Sequence, residues 1–125
     1  MAVGMLEVQG FSVALEAADA MCKAANITLE AFDANNPPSA DVKIPVIVQM
    51  KMNGGISDVE AALEVGRNVA EQYFPPSEVI TACIPAISEE LTPLLVSGKL
   101  KPKKEIIEEK AGSKSDKVKT AGEKK

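Results

Sequence analysis

The sequence predicts an α/β domain of the α+β kind: a mainly antiparallel four-stranded sheet with helices on one face, in the order β-α-β-β-α-β-α, followed by a charged tail. Three observations lead there. Within Gly4 to Leu29 the apolar pattern changes from a short strand-like run to a helical spacing and back to alternation. Farther on, strands and helices alternate irregularly, with two strands in succession, which suits antiparallel pairing. After Gly98 the composition shifts to Lys, Glu, Ser and Gly.

The first strand is the apolar run of Met5, Leu6 and Val8, stopped by Gln9-Gly10. Ser12 is the expected N-cap of the first helix, with Glu16 in its first turns. Ala14, Ala17, Ala18, Met21 and Ala25 recur at three- and four-residue intervals and so share one face. That face is mostly alanine, so its partner must come close to the helix backbone. Lys23 sits near the C-terminal end, where a cation favours the helix dipole. Asn26 ends the helix. Ile27, Leu29 and Ala31 then alternate with Thr28, Glu30 and Phe32, as in a half-buried strand ending near Phe32.

Asp33 to Asp41 is a long connection holding Pro37-Pro38, which forbid helix and block strand pairing. Lys43 to Met52 is the third strand, with Pro45 near its start or on an edge. Asn53-Gly54-Gly55 breaks it. Ser57-Asp58-Val59-Glu60 matches a capping box, and Val59, Ala62, Leu63, Gly66, Val69, Ala70 and Tyr73 make the apolar face of a second helix. Gly54-Gly55 lacks the spacing and the following Lys-Ser or Lys-Thr pair of a phosphate loop. Pro75-Pro76-Ser77 stops the helix. Val79 to Ile84 is almost wholly apolar, which predicts a strand central in the sheet. Ser88 to Val96 predicts a short helix interrupted by Pro93.

These elements place one domain in residues 1–98 and a flexible tail in residues 99–125. Charge divides the same way. The tail holds 10 Lys against 5 acidic residues, and the rest of the chain 4 basic against 13 acidic. The acidic body has no basic patch with interleaved aromatics, which argues against a nucleic-acid partner. No apolar run approaches a membrane span, and the first residues show no signal-peptide pattern, so no membrane partner and a cytoplasmic location are expected. Aromatic residues are only 3% of the chain, so the core is aliphatic, and subunit association would add burial that small side chains supply sparingly.

Nothing in the chain asks for catalysis. There is no His, so no nucleophile and base pair assembles, and no metal-ligand spacing exists. No catalytic, metal or cofactor residue is expected. Cys22 and Cys83 are expected as two buried thiols in a reducing compartment.

Gly4-Met5-Leu6-Glu7 with Gly10, Glu16-Ala17-Ala18-Asp19-Ala20-Met21, and Lys23-Ala24-Ala25-Asn26 together resemble the bacterial microcompartment shell domain, in its single-domain hexamer-forming class. Val46-Ile47-Val48, Asp58 to Asn68, Val79-Ile80 and Ile84-Pro85 resemble that family's later elements, so the likeness covers roughly Ala2 to Leu95. The resemblance implies a non-enzymatic tile of a protein shell in the bacterial cytoplasm. Its partners would be itself, as a homohexamer and as sheets, other shell proteins, and encapsulated enzymes. A pore on the sixfold axis would pass small metabolites. By the same resemblance Lys23 and Asn26 belong to the edge between hexamers. The connection Asn35, Asn36, Pro37, Pro38, Ser39, Ala40, Asp41, Val42 stands where the family has its pore loop.

Two departures matter. The family's pore loop is short and Gly-rich, whereas this one is longer, lacks Gly and contains Asp41. Many members carry an edge Arg after Ile-Pro, whereas this chain has Ile84-Pro85-Ala86, leaving Arg67 or the tail as substitutes. The competing expectation is a small ferredoxin-like regulator whose Asn35 to Asp41 loop closes over a ligand. A third places the activity in the basic tail, which would tether the body to nucleic acid or cargo.

Overall fold

A computed structural model describes residues 1–36 and 46–98. Strand β1 (Ala2–Gln9), helix α1 (Phe11–Ala24), strands β2 (Ile27–Asn35) and β3 (Ile47–Gly54), helix α2 (Ile56–Ala70), strand β4 (Ile80–Ile84) and the short helix α3 (Thr92–Leu95) follow in that order. The sheet order is β2-β3-β1-β4, and every pair is antiparallel. The predicted class and element order therefore hold.

Alternation along β1 and β3 divides the sheet into two faces. Leu6, Val8, Val48, Met50 and Met52 point at α1 and α2 and are fully buried, with Met21 of α1. Each such side chain contributes about 1.5–3 kcal/mol on burial. The alanine face of α1 is buried as expected at Ala14, Ala17 and Ala18. On α2, Gly66 leaves room for the side chains of Met21 and Leu6: a Cβ there would stand 2.5 Å from the Met21 sulfur and 2.9 Å from Leu6 Cδ2.

Several local expectations fail for identifiable reasons. Helix α1 begins at Phe11, one turn position earlier than expected, and its N-cap is Gly10 rather than Ser12. Gly10 has φ 89°, a conformation that glycine adopts without strain, and its amide donates to Val46 O at 2.9 Å. The capping box is likewise absent: Gly55 is the N-cap of α2 and no side chain caps it. Asp58 instead accepts the Asn26 amide at 3.2 Å, joining the start of α2 to the end of α1. Tyr73 lies beyond α2 and is half exposed, so it is not part of the apolar face.

The alternation of β2 breaks at a bulge between Leu29 and Ala31. Glu30 is the extra residue, and beyond it the phase reverses, so Phe32, not Ala31, pairs level with the helix-facing Met50. Strand β4 is not central. It pairs only with β1, forms an edge, and exposes Ile80, Ala82 and Cys83. Both cysteines are exposed rather than buried. The helices also occupy both faces: α1 and α2 share one, and the segment around α3 crosses the other. Pro45, Pro37 to Val42 and the tail from Lys99 lie outside the described residues.

Candidate functional site

The residues expected to serve assembly fall at two ends of one strand. Lys23 is in the last turn of α1, and Asn26 follows it, immediately before β2. Both are exposed. The Lys23 ammonium pairs with Asp19 at 2.7 Å, one helical turn back, and its side chain is 75% exposed, so the pair contributes little to stability and leaves the ammonium available at the surface. At the other end, Asn35 closes β2 opposite Ile47, and Asn36 is exposed beside it. The nine residues of β2 separate these two groups by roughly 25 Å. The remainder of the expected loop, Pro37, Pro38, Ser39, Ala40, Asp41 and Val42, lies outside the described residues.

Two surfaces that sequence reasoning did not single out flank the sheet. Ile80, 55% exposed, with Ala82 and Cys83, lines the free edge of β4. Phe11 and Leu15, one turn apart on α1, are also exposed. The Phe11 ring lies 6.1 Å from that of Phe32, which places this pair at the opposite edge, over β2. An all-apolar run resembles a central strand until its pairing partners are known, and β4 pairs with β1 alone.

Arg67 does not offer a free edge cation. Its guanidinium donates to Val79 O at 2.9 Å and Pro76 O at 3.0 Å, and pairs with Glu71 at 2.8 Å. It ties the turn at Pro76–Glu78 and the entry to β4 onto α2. Tyr73 Oη donates to Glu16 Oε1 at 2.6 Å. That hydrogen bond, with the charge of Glu16, raises the Tyr73 phenol above its usual value. Among the described residues no group of His, Cys, Asp or Glu side chains is arranged to hold a metal ion, and no helix is long and apolar enough to cross a membrane.

Known proteins are similar to this chain. The carboxysome shell protein CcmK3 of Halothece sp. (strain PCC 7418) is 34% identical over 107 residues, covering 76% of this chain and 97% of that protein. The carboxysome shell protein CcmK2 of Thermosynechococcus vestitus is 38% identical over 71 residues, 57% of this chain and 62% of that one. The bacterial microcompartment shell protein PduK of Salmonella typhimurium is 37% identical over 71 residues, and the match covers 40% of its length. In fold, a microcompartment protein from Desulfitobacterium hafniense DCB superposes with a TM-score of 0.54 at 23% identity, over 78% of this chain and 48% of that one. A model of the BMC domain matches residues 2–86, more than half of the chain, and the chain belongs to the BMC domain family.

Proposed function

We propose that this protein is a structural tile of a bacterial microcompartment shell, built as a homohexamer and joined edge to edge with itself and with other shell proteins. Membership of the family, together with its shell-protein relatives, supports a non-enzymatic shell component in the bacterial cytoplasm. The observation that carries the ring is the pair of unlike apolar edges. Ile80 and Cys83 on β4 lie at one side of the sheet, and Phe11 and Leu15 over β2 lie at the other. Two different patches on opposite sides pair head to tail, and a head-to-tail contact closes into a ring when its rotation allows. The number six comes from the family resemblance.

In this reading residues 1–98 form the tile and residues 99–125 are an appendage to it. The Asn35 to Val42 loop surrounds the axis, with Ser39, Ala40 and Asp41 nearest the opening, and the pore passes small metabolites. Lys23 and Asn26, at the far end of β2, occupy the rim between hexamers, where a long apolar stem with a charged tip suits a weak repeated contact. The shell so formed encloses enzymes. Native mass spectrometry of the full chain tests the ring, and electron microscopy of concentrated protein tests the sheets. Hexamers and extended sheets are expected. Monomers or dimers alone at assembly concentration would overturn the reading and favour a small regulator.

A further inference from the structure

The C-terminal segment crosses the open face of the sheet, the face turned away from α1 and α2. The Ile87 amide donates to Met1 O at 3.1 Å. The Lys51 ammonium donates to Leu94 O at 3.0 Å and to Ser97 O, at the end of α3, where Leu94 O also accepts the Ser97 amide at 3.3 Å. Gly98 then rests on β2: a Cβ there would stand 2.8 Å from Ala31 Cβ and 3.0 Å from Phe32 O. The described chain therefore ends at Gly98 on the open face, over β2, beside the carbonyls held by Lys51.

Two residues along β2 from Ala31 begins a polar row. The register aligns Asp33 with Gln49 and Gln49 with Glu7, across three strands of the same face. All three are half-buried. Gln49 Nε2 donates to Glu7 Oε2 at 3.5 Å, and nearby Gln9 Nε2 donates to Glu78 Oε1 at 3.0 Å. These amides supply hydrogen bonds but no positive charge. Lys51 stands 3.9 Å from Asp33 Oδ2, with its protons directed at the Leu94 and Ser97 carbonyls. Among the described residues no cation lies within ion-pair distance of Glu7 or Glu78.

The sequence that follows Gly98 is Lys99-Leu100-Lys101-Pro102-Lys103-Lys104, four lysines in six residues and no acid. We propose that this stretch docks in cis on the Asp33–Gln49–Glu7 row. The distances suit it. Asp33 lies about 7 Å along β2 from Ala31, and Glu7 about 10 Å farther across two strand spacings. Six extended residues span up to about 20 Å, so Lys101 reaches Asp33 and Lys103 or Lys104 reaches Glu7. Lys51 already stands beside Asp33, and the tail lysines would add positive charge at Glu7, which has no cation within ion-pair distance among the described residues. The contact lies at the surface, where charge attraction is screened beyond about 8 Å at physiological ionic strength, so the clasp opens as salt rises. It needs one chain only and does not depend on the ring.

The test is zero-length carbodiimide cross-linking of the full chain, with isotope-labelled and unlabelled protein mixed, mapped by mass spectrometry at low and high salt. Same-chain links from Lys99 to Lys104 onto Asp33 and Glu7 are expected, and their yield should fall at least about fivefold in 1 M NaCl. The double variant Glu7→Gln, Asp33→Asn should remove the links to positions 7 and 33, with Glu78 the one neighbouring carboxylate left for a residual link. Links spread equally onto Asp19, Glu60 and Glu64 of the two long helices would overturn the proposal. So would links mainly between labelled and unlabelled chains, or a yield indifferent to salt. The wild-type pattern decides the matter even if the double variant folds poorly.

Discussion

Gly66→Ala adds one methyl group where α1 and α2 meet. The new Cβ would stand 2.5 Å from Met21 Sδ, 2.9 Å from Met21 Cγ and 2.9 Å from Leu6 Cδ2. Carbon contacts are favourable at about 3.5–4.0 Å, so three atoms must give way. Met21 and Leu6 are both fully buried, and neither has a solvent-facing path along which to retreat. Overpacking of this kind costs about 1–3 kcal/mol, and three close approaches put Gly66 near the upper end. Alanine regains about 1 kcal/mol through its higher helix propensity. The net effect is a loss of about 1–2 kcal/mol, or roughly 4–15 °C in Tm for a domain of this size. Thermal and urea unfolding followed by circular dichroism measures it, at one protein concentration because assembly itself stabilises the fold. Glu64→Ala, exposed on the same helix, is the control and should stay within about 0.5 kcal/mol of wild type. Met21→Ala removes the clashing side chain, so the double variant should lose less than the sum of the singles, by about 1 kcal/mol or more. A Gly66→Ala protein as stable as wild type, or strict additivity with Met21→Ala, would refute the close-packing argument.

Two further outcomes follow from named contacts or exposed positions, and a third from the proposed pore loop. Arg67→Lys keeps the charge but not the fork that reaches Val79 O and Pro76 O together, so it should cost about 1–2 kcal/mol in urea unfolding; an unchanged midpoint would show that the fork is dispensable. Lys23→Ala should leave hexamers intact in native mass spectrometry and abolish sheets in electron microscopy, because its Asp19 pair contributes little within the subunit; sheets like those of wild type would remove Lys23 from the edge. In the proposed pore six Asp41 carboxylates would focus a negative potential on the axis, so Asp41→Asn should lower cation-over-anion selectivity of hexamers in a planar bilayer; unchanged selectivity would place Asp41 away from the opening.

The parts of the fold legible in the sequence are those set by local periodicity. The alanine face of α1 and the spacing of Val59, Ala62, Leu63, Gly66 and Ala70 on α2 each repeat with the helical period, and both are buried where expected. The expected break at Asn53 to Gly55 and stop at Pro75-Pro76 hold only coarsely: β3 runs through Asn53 and Gly54, and α2 already ends at Ala70. The family resemblance rested on these same local stretches, and the match to residues 2–86 agrees with it. The assembly residues were legible only in part, because nothing local distinguishes Lys23 from any lysine near a helix end.

The tertiary structure decided what depends on which element lies beside which. The residues of β4 are apolar in any setting, but only the order β2-β3-β1-β4 makes them an edge and exposes Cys83. Gly10 displaces Ser12 as the cap because the turn out of β1 demands φ 89°, a requirement that arises when the chain reverses over the sheet. The bulge at Glu30 is invisible in an alternating sequence, since a one-residue slip leaves the pattern intact while exchanging its faces. Arg67 reads as a surface cation until the turn at Pro76–Glu78 brings two carbonyls within its reach. Lys51, one polar residue in an alternating strand, becomes the anchor of the C-terminal segment only once α3 has crossed the open face. Periodicity is written residue by residue, whereas edges, bulges and long-range hydrogen bonds exist only between segments that the fold has brought together.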